Sequence, residues 1–298
     1  MTDRTHRLVA FDTGSLRGGG AERSVLTTAS NWPSDDVMLT VGELVGPYVT
    51  AIPQGLRVEV VGPTRYRILG RFVKRIRDLV DTDGVRVIVA FDRRARVLIL
   101  ARSLGLLRRV LIVAVEHNLA TRFLRERGGH GVRAAWRMRI RHWALRRADH
   151  VIAVSHGVAA ELGRAISPAA VPATVIKNPL DVEQVRSNAA ASLTGDATPL
   201  ASRWDTLPSP IVLTAGRLTA VKGHADLLTA FAALPDHHRG TLVILGEGPL
   251  RADLEQQARH LDISDHLWMP GFIDNPWWFI HRADVFCLPS HHEGHPLI

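Results

Sequence analysis

Eleven short apolar runs rich in β-branched residues, separated by stretches with helical spacing, constrain this chain more than any other feature of its 298 residues. Seven of them, Arg7–Phe11, Val37–Val41, Val58–Val61, Val85–Phe91, Val110–Val115, Val151–Val154 and Thr174–Ile176, lie in the first 180 residues. Runs that are apolar throughout, rather than alternating, belong to strands covered on both faces. Helical segments between them supply that cover and force parallel pairing. Residues 1–185 are therefore expected to form one doubly wound α/β domain.

From Arg186 to Pro210 the composition turns to Ala, Ser, Thr, Gly and Pro, which reads as a linker or peripheral loop. The alternation then resumes with Ile211–Ala215, Leu242–Leu245, Leu267–Met269 and Val285–Leu288, so 186–298 is expected to be a second unit of the same class. Between its strands, Leu227, Leu228, Phe231 and Leu234 define one helical face. Leu250, Leu254, Ala258 and Leu261 define another, with Pro249 placed for a first turn.

Charge separates the two halves. Residues 1–180 carry 29 basic and 15 acidic side chains, net +14; the remainder carries 8 and 14, net −6. Opposite balances imply different partners. The basic half suits an anionic bilayer or a phosphorylated substrate. Nucleic acid is not expected, because no helix-turn-helix, zinc-finger or RNA-binding pattern is present. A single cysteine, Cys287, permits no internal disulfide and is expected in a buried strand of a protein from a reducing compartment. No apolar run approaches membrane-spanning length.

In open parallel sheets ligands gather beyond the carboxyl ends of strands. Four loops there carry chemistry. Gly18-Gly19-Gly20-Ala21-Glu22-Arg23 opens a helix after the first strand, and its glycines let a phosphate approach the helix-end amides. Glu116-His117-Asn118 ends the strand Val110–Val115 and offers hydrogen bonds to a hydroxyl-bearing substrate. Arg217 and Lys222 leave the strand Ile211–Ala215 just ahead of a helix, where two cations and helix-end amides suit a diphosphate without metal. Pro289-Ser290-His291-His292-Glu293-Gly294-His295-Pro296 presents a carboxylate to sugar hydroxyls. Its three histidines fit no zinc spacing. Asp81-Thr82-Asp83 has an Asp-x-Asp form but precedes Gly84 as a helix-ending turn, not a metal site.

Taken in order, Gly-Gly-Ala-Glu-Arg, Glu-His-Asn, Val154-Ser155, Lys177-Asn178-Pro179-Leu180-Asp181, Gly216-Arg217-Leu218 with Lys222-Gly223, Leu245-Gly246-Glu247-Gly248-Pro249-Leu250 and Pro-Ser-x-x-Glu-Gly-x-Pro resemble glycosyltransferase family 4. The resemblance implies two facing Rossmann-like domains (GT-B), with the acceptor on the first and a nucleotide-sugar donor, UDP- or GDP-linked, on the second. It further implies retention of anomeric configuration, no cofactor and no metal. By the motif, Arg217 and Lys222 bind the donor diphosphate, Glu293 contacts the transferred sugar, and Glu247 belongs to the donor site. His117 lies at the sugar, and Gly19 and Gly20 face the donor phosphates across the cleft.

The family pattern carries a second glutamate eight positions after the first, three beyond Ile298, so the second domain is expected to be incomplete. A sugar-nucleotide 2-epimerase of the same fold, or an inactive nucleotide-binding fragment, are the competing readings. A lipid-linked acceptor, used at the inner face of the plasma membrane by a cytoplasmic, peripherally bound protein, explains the basic half. Arg65, Arg67, Arg71, Lys74, Arg75 and Arg77 crowd one segment beside Ile68, Phe72, Val73 and Ile76, and Arg133, Arg137 and Arg141 follow at helical spacing. These are expected to form basic helices with an apolar flank for an anionic membrane.

Overall fold

The computed structural model describes residues 8–17, 19–64, 69–117, 132–165, 173–193 and 198–297. The chain divides into two α/β units, one comprising residues up to Leu180 together with Gly294–Leu297, the other Asp181–Glu293. The expected division after residue 185 falls inside a helix, Val182–Ala190, whose start is fixed by Asp181 accepting a hydrogen bond from Gln184 N at 2.9 Å. The break lies just before that cap.

The first unit is a seven-stranded, wholly parallel sheet in the order β3-β2-β1-β4-β5-β6-β7. Its strands are β1 Leu8–Thr13, β2 Val37–Val41, β3 Arg57–Val60, β4 Val85–Phe91, β5 Leu111–Glu116, β6 His150–Ala153 and β7 Ala173–Val175. Every residue of β2 is buried, as a run apolar on both faces requires. The helices are α1 Gly20–Ser30, α2 Leu69–Thr82, α3 Asp92–Ser103, α4 Val132–Leu145 and α5 His156–Ala165. The chain steps from β1 outward to β3, then returns to β4 and onward, so the topological switch lies between β1 and β4.

α2 carries Phe72, Ile76, Leu79 and Val80 at i, i+4, i+7 and i+8, all buried on the sheet. The expectation that Phe72 and Ile76 turn toward a membrane is therefore corrected: burying them in the core outweighs exposing them, by about 1.5–3 kcal/mol per side chain. Arg71, Lys74, Arg75 and Arg77 occupy the exposed side of the same helix, and Arg75 pairs with Glu59. Arg141 is also corrected. It is 3% exposed and directs Nε and Nη2 at Glu116 Oε2, at 3.0 and 2.6 Å. Arg65, Arg67, Ile68 and the side chains of Arg133 and Arg137 lie outside the described residues. Asp83 pairs with Arg57, and Gly84 takes φ 75° in the helix-ending turn read from the sequence.

The second unit is a four-stranded parallel sheet, β10-β9-β8-β11, formed by β8 Ile211–Ala215, β9 Thr241–Leu245, β10 Leu267–Gly271 and β11 Val285–Phe286. Its helices are α6 Val182–Ala190, α7 Thr198–Trp204, α8 His224–Ala232, α9 Arg251–His260 and α10 Pro276–Arg282. The supposed linker contains the end of α6 and the whole of α7. α6 packs on α10, with Asn275 Nδ2 donating to Asn188 O at 2.7 Å, and α7 ends on Trp204. That indole is 5% exposed and meets Trp268, Trp278 and Phe279 with ring centroids 5.4–6.4 Å apart. Polar composition concealed an aromatic anchor. Pro249 precedes the α9 cap, Leu250, rather than sitting in the first turn. Cys287 lies just past the two-residue β11, half-buried, its N–H donating to Leu213 O at 2.8 Å.

Candidate active site

The second sheet reverses its winding between β8 and β11, so the loops leaving these two strands meet at a switch point, where open α/β sheets bind ligands. Lys222 comes from the first loop and Glu293 from the second. Lys222 Nζ lies 2.5 Å from Glu293 Oε1, to which Ser290 Oγ also donates at 2.9 Å. Both members of the ion pair are partly open to solvent, at 21% and 26% side-chain exposure. The sequence grouped Lys222 with Arg217. In the structure Lys222 is joined instead to Glu293, while Arg217 is exposed on the same loop, its carbonyl accepting from Thr219 N at 2.8 Å.

Glycines make this arrangement possible. Gly223 adopts φ 68° as it enters α8, and a Cβ there would stand 2.1 Å from Pro289 O. Only hydrogen lets the two loops touch, and His291 N then donates to Val221 O at 2.9 Å. Gly246, at φ 140°, is pressed on Gly216 O, where a Cβ would come to 2.0 Å. The stem of Lys222 lies over Gly216, 3.4 Å from where its Cβ would be. Glu247 is a separate matter: its Oε1 pairs with Arg251 Nη1, at the start of α9, at 2.6 Å. Behind the site His224 is 3% exposed with Nδ1 unpartnered among the described residues, and burial, then the Lys222 charge, pushes its pKa down to about 4.

In the first unit, His117 directly follows β5 and is buried, its ring 5.1 Å from that of Phe91. Burial, then the nearby His295, lowers its pKa to about 4, so the imidazole is neutral at pH 7. Its Nε2 has no partner among the described residues. Gly294 sits on the carbonyl of His117, where a Cβ would come within 1.7 Å. Asn178 Nδ2 donates to His295 O at 2.9 Å and Asn178 Oδ1 accepts from Ser24 Oγ at 3.2 Å, tying that segment to α1. Glu116 is committed to Arg141, and Asn118 and Gly18 lie outside the described residues. Gly19 caps α1 with its carbonyl accepting from Arg23 N at 3.1 Å, and Gly20 begins the helix.

One group escaped the sequence reading. Asp12, fully buried at the end of β1, accepts from Arg94 Nε and Nη2 at 2.6 and 2.7 Å and from Thr40 Oγ1 at 2.7 Å. Arg94 Nη1 donates to Gly62 O at 3.1 Å, and its guanidinium lies 4.4 Å over the Phe72 ring. This network sits at the switch between β1 and β4 and braces the ends of three strands. An acidic residue closing the apolar run Leu8–Phe11 was the available signal; its partner, 82 positions away, was not.

Known proteins bear on these units. Over residues 205–298 the chain matches the model for glycosyl transferases group 1. Among solved structures it is similar to HepE of Anabaena in complex with UDP and glucose, at 20% identity and a TM-score of 0.74, over 96% of this chain and 74% of that one. That likeness carries the GT-B fold of two Rossmann-like units. Among curated relatives it is 27% identical over 148 residues to the N-acetylgalactosamine-N,N'-diacetylbacillosaminyl-diphospho-undecaprenol 4-alpha-N-acetylgalactosaminyltransferase of Campylobacter jejuni. It is 30% identical over 162 residues to the glycogen synthase of Mycobacterium tuberculosis. These alignments take in 50% and 53% of this chain but only 37% and 36% of the relatives' lengths. The model for glycosyltransferase family 4 matches residues 18–184, more than half of the sequence and the greater part of the first unit, and the chain belongs to that family.

Proposed function

We propose that the chain moves a hexosyl or N-acetylhexosaminyl group from a nucleoside diphosphate sugar to a lipid-linked acceptor, with retention of anomeric configuration, in glycoconjugate or polysaccharide synthesis. The observation that carries the reading is the Lys222–Glu293–Ser290 cluster at the switch point of the second sheet. Cleavage of the sugar–phosphate bond leaves charge on the β-phosphate oxygens. Lys222, and Arg217 on the same loop, are cations suited to hold that charge as it develops. Glu293 accepts hydrogen bonds from the sugar hydroxyls once Lys222 turns to phosphate. The acceptor hydroxyl adds to the anomeric carbon on the face the phosphate leaves, and its proton passes to the leaving phosphate oxygen, which calls for no second enzymic carboxylate. A neutral His117 can hydrogen-bond a sugar hydroxyl without adding charge.

Support for the donor class comes from HepE, solved with UDP and glucose. Support for the acceptor class comes from the Campylobacter relative, whose name specifies a diphospho-undecaprenol acceptor. The test is turnover of radiolabelled UDP-, GDP- and ADP-sugars with and without a polyprenyl-diphosphate glycan. Label appearing in the lipid fraction supports transfer. Label retained in an altered sugar nucleotide would make the protein an epimerase, and donor binding without either product would leave a nucleotide-binding protein.

A further inference from the structure

The cations of α2 are exposed, but Phe72 and Ile76 beside them are buried, so the docking surface has to be built from Val73 and from the neighbouring helices. The connections β3–α2–β4, β4–α3–β5 and β5–α4–β6 all step in one direction along the sheet, so right-handed crossovers place α2, α3 and α4 on the same face. α3 packs beside α4. Between α2 and α3 runs an open groove of about 290 Å³ floored by Leu69, Val73, Val97, Leu100, Leu104 and Leu106. Lys74 and Arg77 stand in its wall, and among the described residues no carboxylate lines it.

In the groove, and on the neighbouring α4, apolar side chains stand where solvent should favour polar groups. Leu104 is 66% exposed, and on α4 Trp136 and Ile140, one turn apart, are 63% and 49% exposed. Arg71, Arg108, Arg109 and Arg139 are exposed on or beside these same helices. Apolar side chains ringed by long cationic stems match the boundary between lipid headgroups and acyl chains, where ammonium and guanidinium groups reach phosphate while leucine and tryptophan enter the apolar layer.

We infer that the α2–α3–α4 face is a docking surface for an anionic lipid bilayer, with Lys74 and Arg77 on headgroup phosphates and Leu104 and Trp136 entering the interface. It rests on the lipid-linked acceptor reading for its purpose, though its test is independent of turnover. The charge complementarity is local: among the described residues the groove lining offers two cations and apolar carbon.

Co-sedimentation of the full chain with vesicles of phosphatidylglycerol and phosphatidylcholine, against phosphatidylcholine alone, decides it. Binding should require the anionic lipid and weaken with salt. The pair Lys74→Glu and Arg77→Glu should lower partitioning more than tenfold, since each cation contributes roughly fivefold. Leu104→Ser with Trp136→Ser should weaken binding to the same vesicles by about tenfold. All four side chains are outside the core, and an unchanged melting temperature and nucleotide-induced thermal shift will show that the variants fold. Equal binding to neutral vesicles, no binding to anionic ones, or variants that bind like the parent would overturn the inference. So would a self-associated state in light scattering that Leu104→Ser dissolves, which would assign the face to a second copy. Vesicle binding without sugar transfer would remove the transfer reading alone, and transfer in detergent without vesicle binding would remove this one alone.

Discussion

The Lys222 ammonium is held 2.5 Å from Glu293 Oε1, so in the free protein the cation assigned to the diphosphate is neutralised by the carboxylate assigned to the sugar. Donor binding must break this pair and give each a new partner. Glu293→Gln should therefore leave nucleoside diphosphate affinity unchanged or tighter while transfer falls, because the competition for Lys222 is relieved and the sugar contact is weakened. Isothermal titration with the diphosphate and steady-state transfer separate the two effects. Loss of both together would mean that the pair only shapes the loops.

Lys222→Ala and Arg217→Ala each remove a cation from developing phosphate charge. Each should lower kcat/KM by about 10²–10³, as deletion of one preorganised electrostatic donor does. Normal transfer in either variant contradicts the assignment of that residue.

Metal chelation gives a distinct expectation. With two cations, Arg217 and Lys222, on one loop suited to the diphosphate, EDTA should leave transfer rates unchanged. Activity restored by a divalent ion after chelation would require a different charge-stabilising group.

Gly223 tests the packing of the loops. Gly223→Ala introduces a Cβ 2.1 Å from Pro289 O at φ 68°, so the loop bearing Glu293 must move. The melting temperature should fall and the nucleotide-induced thermal shift should shrink. A variant with parental values in both would show that the loop contact is dispensable.

Arg94→Met leaves the Asp12 carboxylate buried without its bidentate partner, at a cost of about 3–5 kcal/mol in unfolding free energy. Urea denaturation measures it. Changes below about 1 kcal/mol would mean that water reaches Asp12 and the pair is not structural.

His117 and His224 both have folded pKa values of about 4 against 6.5 for an ordinary histidine. The unfolded chain therefore binds more protons between these limits. Stability from the two groups is complete above pH 6.5 and is lost as pH falls toward 4, with a slope of up to about 1.4 kcal/mol per pH unit for each. His117→Gln and His224→Gln should each flatten the pH dependence of the melting temperature in that window, and an unchanged profile would place the titration elsewhere.

The sequence by itself determined the strand–helix alternation, because a strand buried on both faces must be apolar throughout, and β2, β4 and β8 begin and end where their apolar runs do. It also placed Lys222, Glu293 and His117 at strand ends, since polar residues that interrupt such runs have only the loops to occupy. What it left open were partnerships. Whether Arg141 faced water or Glu116, whether Phe72 turned outward or inward, and whether Trp204 lay in a linker or a core depended on residues far away in the chain. Local periodicity records which face of a helix is apolar, whereas the sheet's strand order decides what that face meets. The same holds for Asp12 and Arg94, and for the Lys222–Glu293 pair: only the parallel pairing of β8 with β11 brings position 293 to position 222.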